Sequence, residues 1–371
     1  MTIQKQPSIH EAVKSLLTVN MGLEENENLL LLGDTADKEC QDLAREVGET
    51  AQALHPATRT LIFDPAGGHG QEPPVEVWEA AFGAETVRSL EENGLLSAII
   101  AKERDDNTLK QALHVVEKEG DNGAAVIVAL THFSTSHTTF RKLLNEARGV
   151  RYASMPLFER EMFFGSMNVD WASLSASTRS LAGALAGADR CEVRAPNGTE
   201  VVFTVSGRPV IPDGGILTYK RAFGNLPAGE VFMAPVEGTT EGTLVLDWGP
   251  LARFVKPLTV RIEAGRAVSV SGEDAGAVGW LEKALDAHPA NANVAELGIG
   301  TNPGATRPDN VLESEKILGT VHAAFGDNHT FGGRTVAPFH QDFVIFDASL
   351  VGVWEKGGGR RVLLTEGRRG W

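Results

Sequence analysis

The chain has 371 residues, of which 34 are Lys or Arg and 49 are Asp or Glu, and its formal charge at pH 7 is −15. Nucleic-acid backbones are bound by clustered basic side chains, and the basic clusters here are limited to the short pairs 360–361 and 368–369. We therefore expect no nucleic-acid partner. The 42% content of apolar residues is typical of a folded protein of about two domains.

The sequence also argues against a membrane partner. No apolar run approaches the ~20 residues that a bilayer-spanning helix needs, and polar residues interrupt the N-terminal segment before it forms the apolar core of a signal peptide. We expect a cytoplasmic protein. The two cysteines, Cys40 and Cys191, are too few for a disulfide framework and form no Cys-x-x-Cys pair. Any metal must therefore be bound by His, Asp and Glu.

The first half of the chain alternates short apolar runs with segments of helical period, which is the pattern of a parallel α/β layer. The apolar runs predict buried strands at 29–32, 60–63, 96–100 and 124–129. The segments between them predict helices at 37–54, 74–92 with a break near Gly83, and 108–119. We expect an α/β domain with a parallel sheet over residues 1–165, followed by a helical bridge over 166–190.

The second half has a different pattern. Residues 191–205 alternate apolar and polar side chains about Asn197-Gly198, and 258–270 do so about Ala264-Gly265, which predicts two hairpins. Helical patterns cover 275–287 and 311–325. We therefore expect an α+β C-terminal domain over residues 191–371, and we expect the chemistry to lie there.

Five acidic and imidazole side chains in this half are candidates for a metal site. His340 and Asp342 precede an apolar run, so they lie two apart on a predicted strand and share one face. His322 lies in the predicted 311–325 helix, and His329 follows seven residues later. A surface His beside an edge Asp is the simpler interpretation of His340 and Asp342. The crowding of three of the ten histidines into 322–340 nevertheless favours a buried metal centre.

Glu230 and Glu296 each place a carboxylate in an apolar segment, which is costly unless the side chain faces outward or meets a cation. Together with the two histidines and the aspartate they supply enough ligands for two adjacent divalent ions, for which Zn²⁺, Co²⁺ and Mn²⁺ are suitable. Paired metal ions generate hydroxide near neutral pH and stabilise oxyanions, so amide hydrolysis is the natural inference.

Four segments resemble the signature blocks of the thermophilic aminopeptidase T and aminopeptidase S metallopeptidases. They are Asn-Leu-Pro-x-Gly-Glu-Val-Phe around Glu230, Glu-Leu-Gly at Glu296, Leu-Gly-Thr-Val-His-x-Ala-x-Gly around His322, and His-x-Asp-Phe from His340. The resemblance implies a homodimeric metallo-aminopeptidase that removes N-terminal residues from peptides or small amides. It implies metal binding by Glu230, Glu296, His322, His340 and Asp342, with Glu296 the most plausible general base. His329 stands where these peptidases have a tyrosine, and it is a further catalytic candidate.

A related branch of this family, the 2,5-dihydroxypyridine dioxygenases, is the alternative. Its members are similar in overall pattern and hold one Fe(II) with two His and one carboxylate. The branch keeps the His-x-Asp pair but has a histidine at the position of Glu296 and lacks an equivalent of His322. Because this chain has Glu230, Glu296 and His322 together, the sequence favours the peptidase. A binding protein on a retired enzyme scaffold is a third hypothesis.

Overall fold

The computed structural model describes residues 8–65, 67–103, 105–119, 123–355 and 357–371. The start of the predicted first domain, at residues 1–7, lies outside the described residues. The chain divides into two compact units, one of Met1–Asn168 with Gly215–Pro227, the other of Val169–Gly214 with Ala228–Trp371. Secondary-structure elements are numbered below in chain order across both units.

The first unit is built on a parallel five-stranded sheet of order β2-β1-β3-β4-β8. Its strands are β1 (Leu29–Asp34), β2 (Thr58–Phe63), β3 (Val126–Ala129), β4 (Arg151–Ser154) and β8 (Phe223–Asn225). Its α-helices are α1 (Ile9–Ser15), α2 (Lys38–Leu54), α3 (Val75–Phe82), α4 (Ala84–Glu92), α5 (Leu95–Ile100), α6 (Asp106–Lys118) and α7 (Thr139–Leu143). The predicted parallel α/β layer is confirmed.

One predicted strand in this unit is wrong. The run 96–100 lies in helix α5, which buries Leu95, Leu96 and Ile99. Leu96 and Ile99 follow Leu95 by one and four residues, which places all three side chains on one face of a helix. A short apolar run fits a buried strand and a buried helix equally well, so periodicity alone does not separate them. The break predicted near Gly83 is confirmed, because this residue has φ +87° between α3 and α4.

The second unit contains two antiparallel sheets. An eight-stranded sheet has the order β12-β11-β10-β6-β5-β16-β17-β18, and a five-stranded sheet has the order β15-β14-β13-β9-β7. The strands are β5 (Arg190–Arg194), β6 (Glu200–Thr204), β7 (Ile211–Asp213), β9 (Glu230–Met233), β10 (Glu241–Trp248), β11 (Arg253–Glu263), β12 (Arg266–Gly272), β13 (Val294–Gly300), β14 (Val321–Gly326), β15 (His340–Ile345), β16 (Ser349–Trp354), β17 (Gly359–Thr365) and β18 (Arg368–Arg369). Both predicted hairpins are confirmed, as β5–β6 and β11–β12.

The helices of the second unit are α8 (Trp171–Leu185), α9 (Ala275–Asp286) and α10 (Val311–Ser314). The helix predicted over 311–325 is wrong, because α10 ends after one turn and Val321–Gly326 forms the interior strand β14. Gly319 lies between α10 and β14 with φ +84°, which is outside the helical region, and a Cβ there would lie 2.0 Å from the carbonyl oxygen of Gly367. All of β14 is buried, so it lacks the alternation that identifies a half-exposed strand.

One hydrophobic core joins residues of both sheets of this unit. It includes Val193 and Phe203 from the larger sheet and Leu297, Phe325 and Phe343 from the smaller one. Side chains alternate between the faces of a strand, so the smaller sheet turns one face to this core and has its other face available for polar side chains. None of the helices in the described ranges has the length and apolar composition that crossing a bilayer requires.

We predict that Leu297→Ala lowers the free energy of unfolding by about 2–5 kcal/mol, because it opens a cavity in this core. Urea unfolding followed by circular dichroism measures the change. Val268→Ala on β12 is the control, since that side chain is 46% exposed. Equal losses for the two variants would contradict the assignment of Leu297 to the core face.

Candidate metal centre

The five ligands predicted from the sequence lie in the small antiparallel sheet of the second unit. Glu230 begins β9, Glu296 lies in β13, His322 lies in β14, and His340 and Asp342 lie in β15. His322 is therefore on a strand and not on a helix as predicted. The prediction that His340 and Asp342 open a strand is confirmed.

The strand register aligns these residues on one face. Glu296 and Asp342 both pair with Ala324, one from each side, and His340 pairs with Gly326 two residues further along β14. Residues that pair across strands, or that are two apart along one strand, project to the same face. The small residues of β14 between them leave room above the sheet for the carboxylates and the imidazole.

Gly298 makes room for the ring of His322. The two residues pair directly between β13 and β14. A Cβ at Gly298 would lie 1.8 Å from His322 Nε2 and 2.2 Å from Cε1. Because His322 is fully buried, its ring has no solvent space into which it can move. The Glu-x-Gly spacing at 296–298 therefore allows an imidazole beside the carboxylate of Glu296.

The first group of converging ligands consists of Glu230, Glu296 and His322, all buried. His322 Nε2 lies 3.2 Å from Glu230 Oε2 and 3.4 Å from Glu296 Oε1. One donor atom from each residue lies within 4.8 Å of the other two. Two carboxylates and an imidazole at this spacing form a suitable set for a divalent cation.

The second group consists of Glu296, His340 and Asp342. His340 Nε2 lies 3.5 Å from Glu296 Oε2 and 3.5 Å from Asp342 Oδ2. Glu296 thus belongs to both groups and turns a different oxygen towards each histidine. Donor atoms of His322 and Asp342 also lie within 4.8 Å of each other, in a third group with Glu315.

Sequence reasoning did not identify two charged residues of the site, Glu315 and Lys316. Lys316 is fully buried, and its Nζ lies 2.5 Å from carboxylate oxygens of both Glu230 and Glu315. Burial raises the pKa of Glu315 to about 8, with Lys316 opposing the shift and Glu230 adding to it. The available signal was the one used for Glu296, a charge beside an apolar run, here Ile317-Leu318.

Asp327 orients His340 and also holds His329. The carbonyl oxygen of Asp327 accepts a hydrogen bond from His340 Nδ1 at 2.8 Å, so Nε2 is the ring nitrogen that faces the carboxylates. The carboxylate of Asp327 accepts from His329 Nδ1 at 2.8 Å. His329 is 50% exposed, and it is in none of the three ligand groups found among the described residues.

The polar atoms of the site fit a bound cation. Among the described residues, no hydrogen-bond partner is present for the buried atoms Glu230 Oε2, Asp342 Oδ1 and His322 Nδ1. Buried polar atoms are almost always hydrogen-bonded, and an exception often marks an ion or a water. Two of these three atoms are carboxylate oxygens in the ligand groups. A divalent cation would satisfy them and would offset the buried negative charge.

The carboxylates of the site stabilise protonated imidazoles. Burial would lower the pKa of His340, but Asp342 and Glu296 raise it to about 10. Burial also disfavours the charge on His322, yet Glu230 and Glu296 raise the pKa of His322 well above its usual value. Metal ligands bind deprotonated, so a cation must compete with these protons.

The pKa of each carboxylate in the site reflects a balance between burial and the positively charged side chains nearby. Burial raises the pKa of Glu296, which exceeds its usual value. Burial has the same effect on Asp342, but His340 outweighs it and holds the pKa of Asp342 far below the usual range. For Glu230, Lys316 and His322 outweigh burial and lower the pKa. Nearby positive charges therefore outweigh burial at Asp342 and Glu230, but they do not outweigh it at Glu296.

Residues 167–351 match the family model described as NicX, 2,5-dihydroxypyridine 5,6-dioxygenase. The matched range contains all members of the three ligand groups. No curated protein sequence matches the chain significantly. The fold and the site define a two-unit protein, α/β followed by α+β, with a carboxylate and histidine centre suited to a metal ion.

Two solved structures share this fold over nearly the whole chain. The 2,5-dihydroxypyridine dioxygenase from Pseudomonas putida KT2440 has a TM-score of 0.67 at 17% identity, covering 98% of this chain and 98% of its own. AmpT from Thermus thermophilus has a TM-score of 0.59 at 17% identity, covering 98% of this chain and 99% of its own. At this identity the similarity concerns the fold, and a fold supports many activities.

These comparisons correct the prediction of a metallo-aminopeptidase. The family match and the Pseudomonas putida structure favour the dioxygenase alternative, so the hydrolase and peptidase functions are wrong. AmpT supports the predicted resemblance at the level of the fold. The error has a chemical cause: Glu230, Glu296 and His322 supply donor atoms for a divalent cation, but donor atoms do not specify the reaction that the cation assists.

We predict that Gly298→Ala lowers the affinity for a divalent cation by at least about 10-fold, because the new Cβ displaces the imidazole of His322. Titration of the full-length protein with Mn²⁺ or Co²⁺ in a calorimeter measures the effect. Gly279→Ala in α9 is the matched control, since a Cβ there meets nothing within 4 Å. Wild-type affinity in Gly298→Ala would show that His322 is not a ligand.

Proposed function

We propose that this protein is an iron-dependent ring-cleaving dioxygenase whose substrate is a dihydroxylated pyridine or a similar aromatic ring. The observation that carries the proposal is the match of residues 167–351 to the 2,5-dihydroxypyridine 5,6-dioxygenase family, since that range contains the whole candidate metal centre. The similar Pseudomonas putida dioxygenase structure supports it.

In this proposal Glu296, His340 and Asp342 hold the iron. Fe(II) accepts imidazole and carboxylate ligands, and this group has one imidazole where the familiar facial triad has two. When bound, the iron supplies the redox chemistry that allows dioxygen to react with an aromatic ring. His322 and Glu230 lie next to this group. His322 Nε2 is 3.4 Å from Glu296 Oε1 and 3.2 Å from Glu230 Oε2, whereas His340 faces the other oxygen of Glu296. Glu296 thus acts as an iron ligand, Glu230 remains available to a divalent cation in the neighbouring group, and the general-base role belongs to another residue.

Two phenylalanines give the site an aromatic side. The ring of Phe331 packs edge-on against His340, with centroids 5.9 Å apart, and against Phe232 at 5.6 Å. Phe232 pairs with Gly298, the residue that lies beneath the ring of His322. Both phenylalanines are half-buried. Because aromatic rings prefer edge-to-face and offset contacts with one another, this side of the site suits a planar ring.

His329 is the proposed proton acceptor. A carboxylate only accepts hydrogen bonds, so the contact with Asp327 places the proton on His329 Nδ1 and leaves Nε2 able to accept one. Asp327 contacts the metal ligand His340 through its backbone carbonyl oxygen. The half-exposed ring of His329 is accessible to a substrate. We assign to Nε2 the removal of a proton from a ring hydroxyl, which makes the ring more electron-rich.

We predict that protein stripped of metal and resupplied with Fe²⁺ consumes dioxygen when 2,5-dihydroxypyridine is added, and that Zn²⁺ does not replace Fe²⁺. Because a dioxygenase incorporates both atoms of O₂, ¹⁸O₂ must give a product heavier by two labelled atoms in mass spectrometry. His340→Ala loses a ligand, and we expect its rate to fall by more than the roughly 100-fold typical of outer-shell changes.

The control for this experiment is His114→Ala, which changes an exposed histidine of α6 in the other unit. It should keep the wild-type rate. The proposal would be refuted if the protein binds one equivalent of iron but consumes no oxygen with dihydroxylated rings. The remaining interpretation would then be a metal-binding protein without redox activity.

We further predict that His329→Gln lowers kcat by about 10²–10⁴-fold, as expected when a general base is removed, while the iron content stays at the wild-type level. The same oxygen measurement, with iron determined by inductively coupled plasma spectrometry, tests this. His114→Gln serves as the control. Parallel loss of iron and activity would instead assign His329 a structural role.

A further inference from the structure

We propose that Lys316 is a positioning residue of the metal centre: its ammonium group holds one oxygen of Glu230 so that the other oxygen faces the cation. This inference goes beyond the proposed function, because it concerns metal binding and would hold for any divalent cation. It rests on a chain of three ionisable residues, Glu315, Lys316 and Glu230, of which Lys316 and Glu230 are buried.

Lys316 is fixed on both sides of its ammonium group. Its side chain is fully buried, and Nζ lies 2.5 Å from Glu230 Oε1 and 2.5 Å from Glu315 Oε1. Contacts with two carboxylates therefore fix the position of the ammonium group inside the protein.

The backbone brings Lys316 to this position through another glycine. Gly300 pairs with Glu230 between β13 and β9. A Cβ at Gly300 would lie 2.0 Å from the carbonyl oxygen of Ile317 and 2.9 Å from the carbonyl carbon of Lys316. The Lys316 carbonyl oxygen also accepts a hydrogen bond from Asn302 N at 2.9 Å. The chain therefore crosses closely over the strand position opposite Glu230 and is held there.

The two oxygens of Glu230 have different surroundings as a result. Oε1 is occupied by Lys316, whereas Oε2 is buried, lies 3.2 Å from His322 Nε2 and has no hydrogen-bond partner among the described residues. A carboxylate that is anchored through one oxygen loses little further freedom when the other binds a metal. Outer-shell contacts of this kind orient metal ligands and raise metal affinity.

A purely structural ion pair is the competing interpretation. Breaking a buried pair destabilises a protein because it leaves an uncompensated charge, whatever the pair does for the metal. Simple electrostatics also predicts the opposite sign for metal binding, since removal of a positive charge beside the site should attract a cation more strongly. Removal of Lys316 should therefore weaken metal binding if the lysine positions Glu230, and should strengthen metal binding if the lysine only repels the cation.

A double-mutant cycle tests the proposal. Mn²⁺ affinity is measured by calorimetry and electron paramagnetic resonance on full-length wild type, Lys316→Met, Glu230→Gln and the double variant. We expect Lys316→Met to weaken Mn²⁺ binding by about 10–100-fold, and we expect this loss to disappear in the Glu230→Gln background, because Lys316 acts through Glu230. Lys316→Arg, which keeps the charge, should restore part of the affinity.

Unchanged or tighter Mn²⁺ binding by Lys316→Met would overturn the proposal, and so would equal losses with and without Glu230. Lys283→Met, in the exposed face of α9, controls for the loss of a lysine elsewhere in the unit. If Lys316→Met does not fold, Glu315→Gln removes the second anchor of the ammonium group. That variant should weaken Mn²⁺ binding in the wild-type background and have no further effect beside Glu230→Gln.

Discussion

The structure of this site depends on the cost of burying charge. One face of a small antiparallel sheet collects the carboxylates of Glu230, Glu296 and Asp342, and an ionised carboxylate without a cation is very unfavourable in such surroundings. Lys316 balances part of this charge with a residue of the chain itself. In the metal-free site the protonated imidazoles of His322 and His340 balance the rest. A divalent cation would replace these protons and would supply a partner for the buried carboxylate oxygens that have none among the described residues.

Strand pairing and glycine together determine where these charges meet. Antiparallel register places residues from distant parts of the sequence side by side, and the pleat sends alternate residues to the same face. The strand positions next to these large side chains must be occupied by small residues. Gly298 admits the imidazole of His322, and Gly300 admits the backbone of Lys316. The short sequence Glu-Leu-Gly-Ile-Gly at 296–300 therefore contributes one ligand and the space for two neighbouring residues.

The sequence predicts this site better than it predicts the reaction or some of the elements. Buried acids in apolar runs and a His-x-Asp pair at a strand start identified Glu230, Glu296, His340 and Asp342, because a buried charge needs a physical reason. The sequence predicts a helix at His322, because the fully buried β14 has no alternation of apolar and polar residues and the apolar residues before it resemble a helical stripe. The apolar run Ile317-Leu318 could have marked Glu315 and Lys316 as candidates, but their approach to Glu230 depends on a chain crossing at Gly300 that no local pattern encodes. The expected homodimer stays a prediction.

Glu296 is the residue that joins the two ligand groups of this site. A carboxylate has two oxygens, and here one faces His322 and the other faces His340. A histidine at this position, as in the dioxygenase branch that the sequence resembles, would offer only one ring nitrogen to a metal, so it could serve one group and not both. Glu296 therefore keeps the two ligand groups joined, although the family match is to a dioxygenase. In a mononuclear iron enzyme the second group would act as an acidic and imidazole lining next to the iron, and Lys316, which anchors Glu230, would then limit how negative that lining becomes.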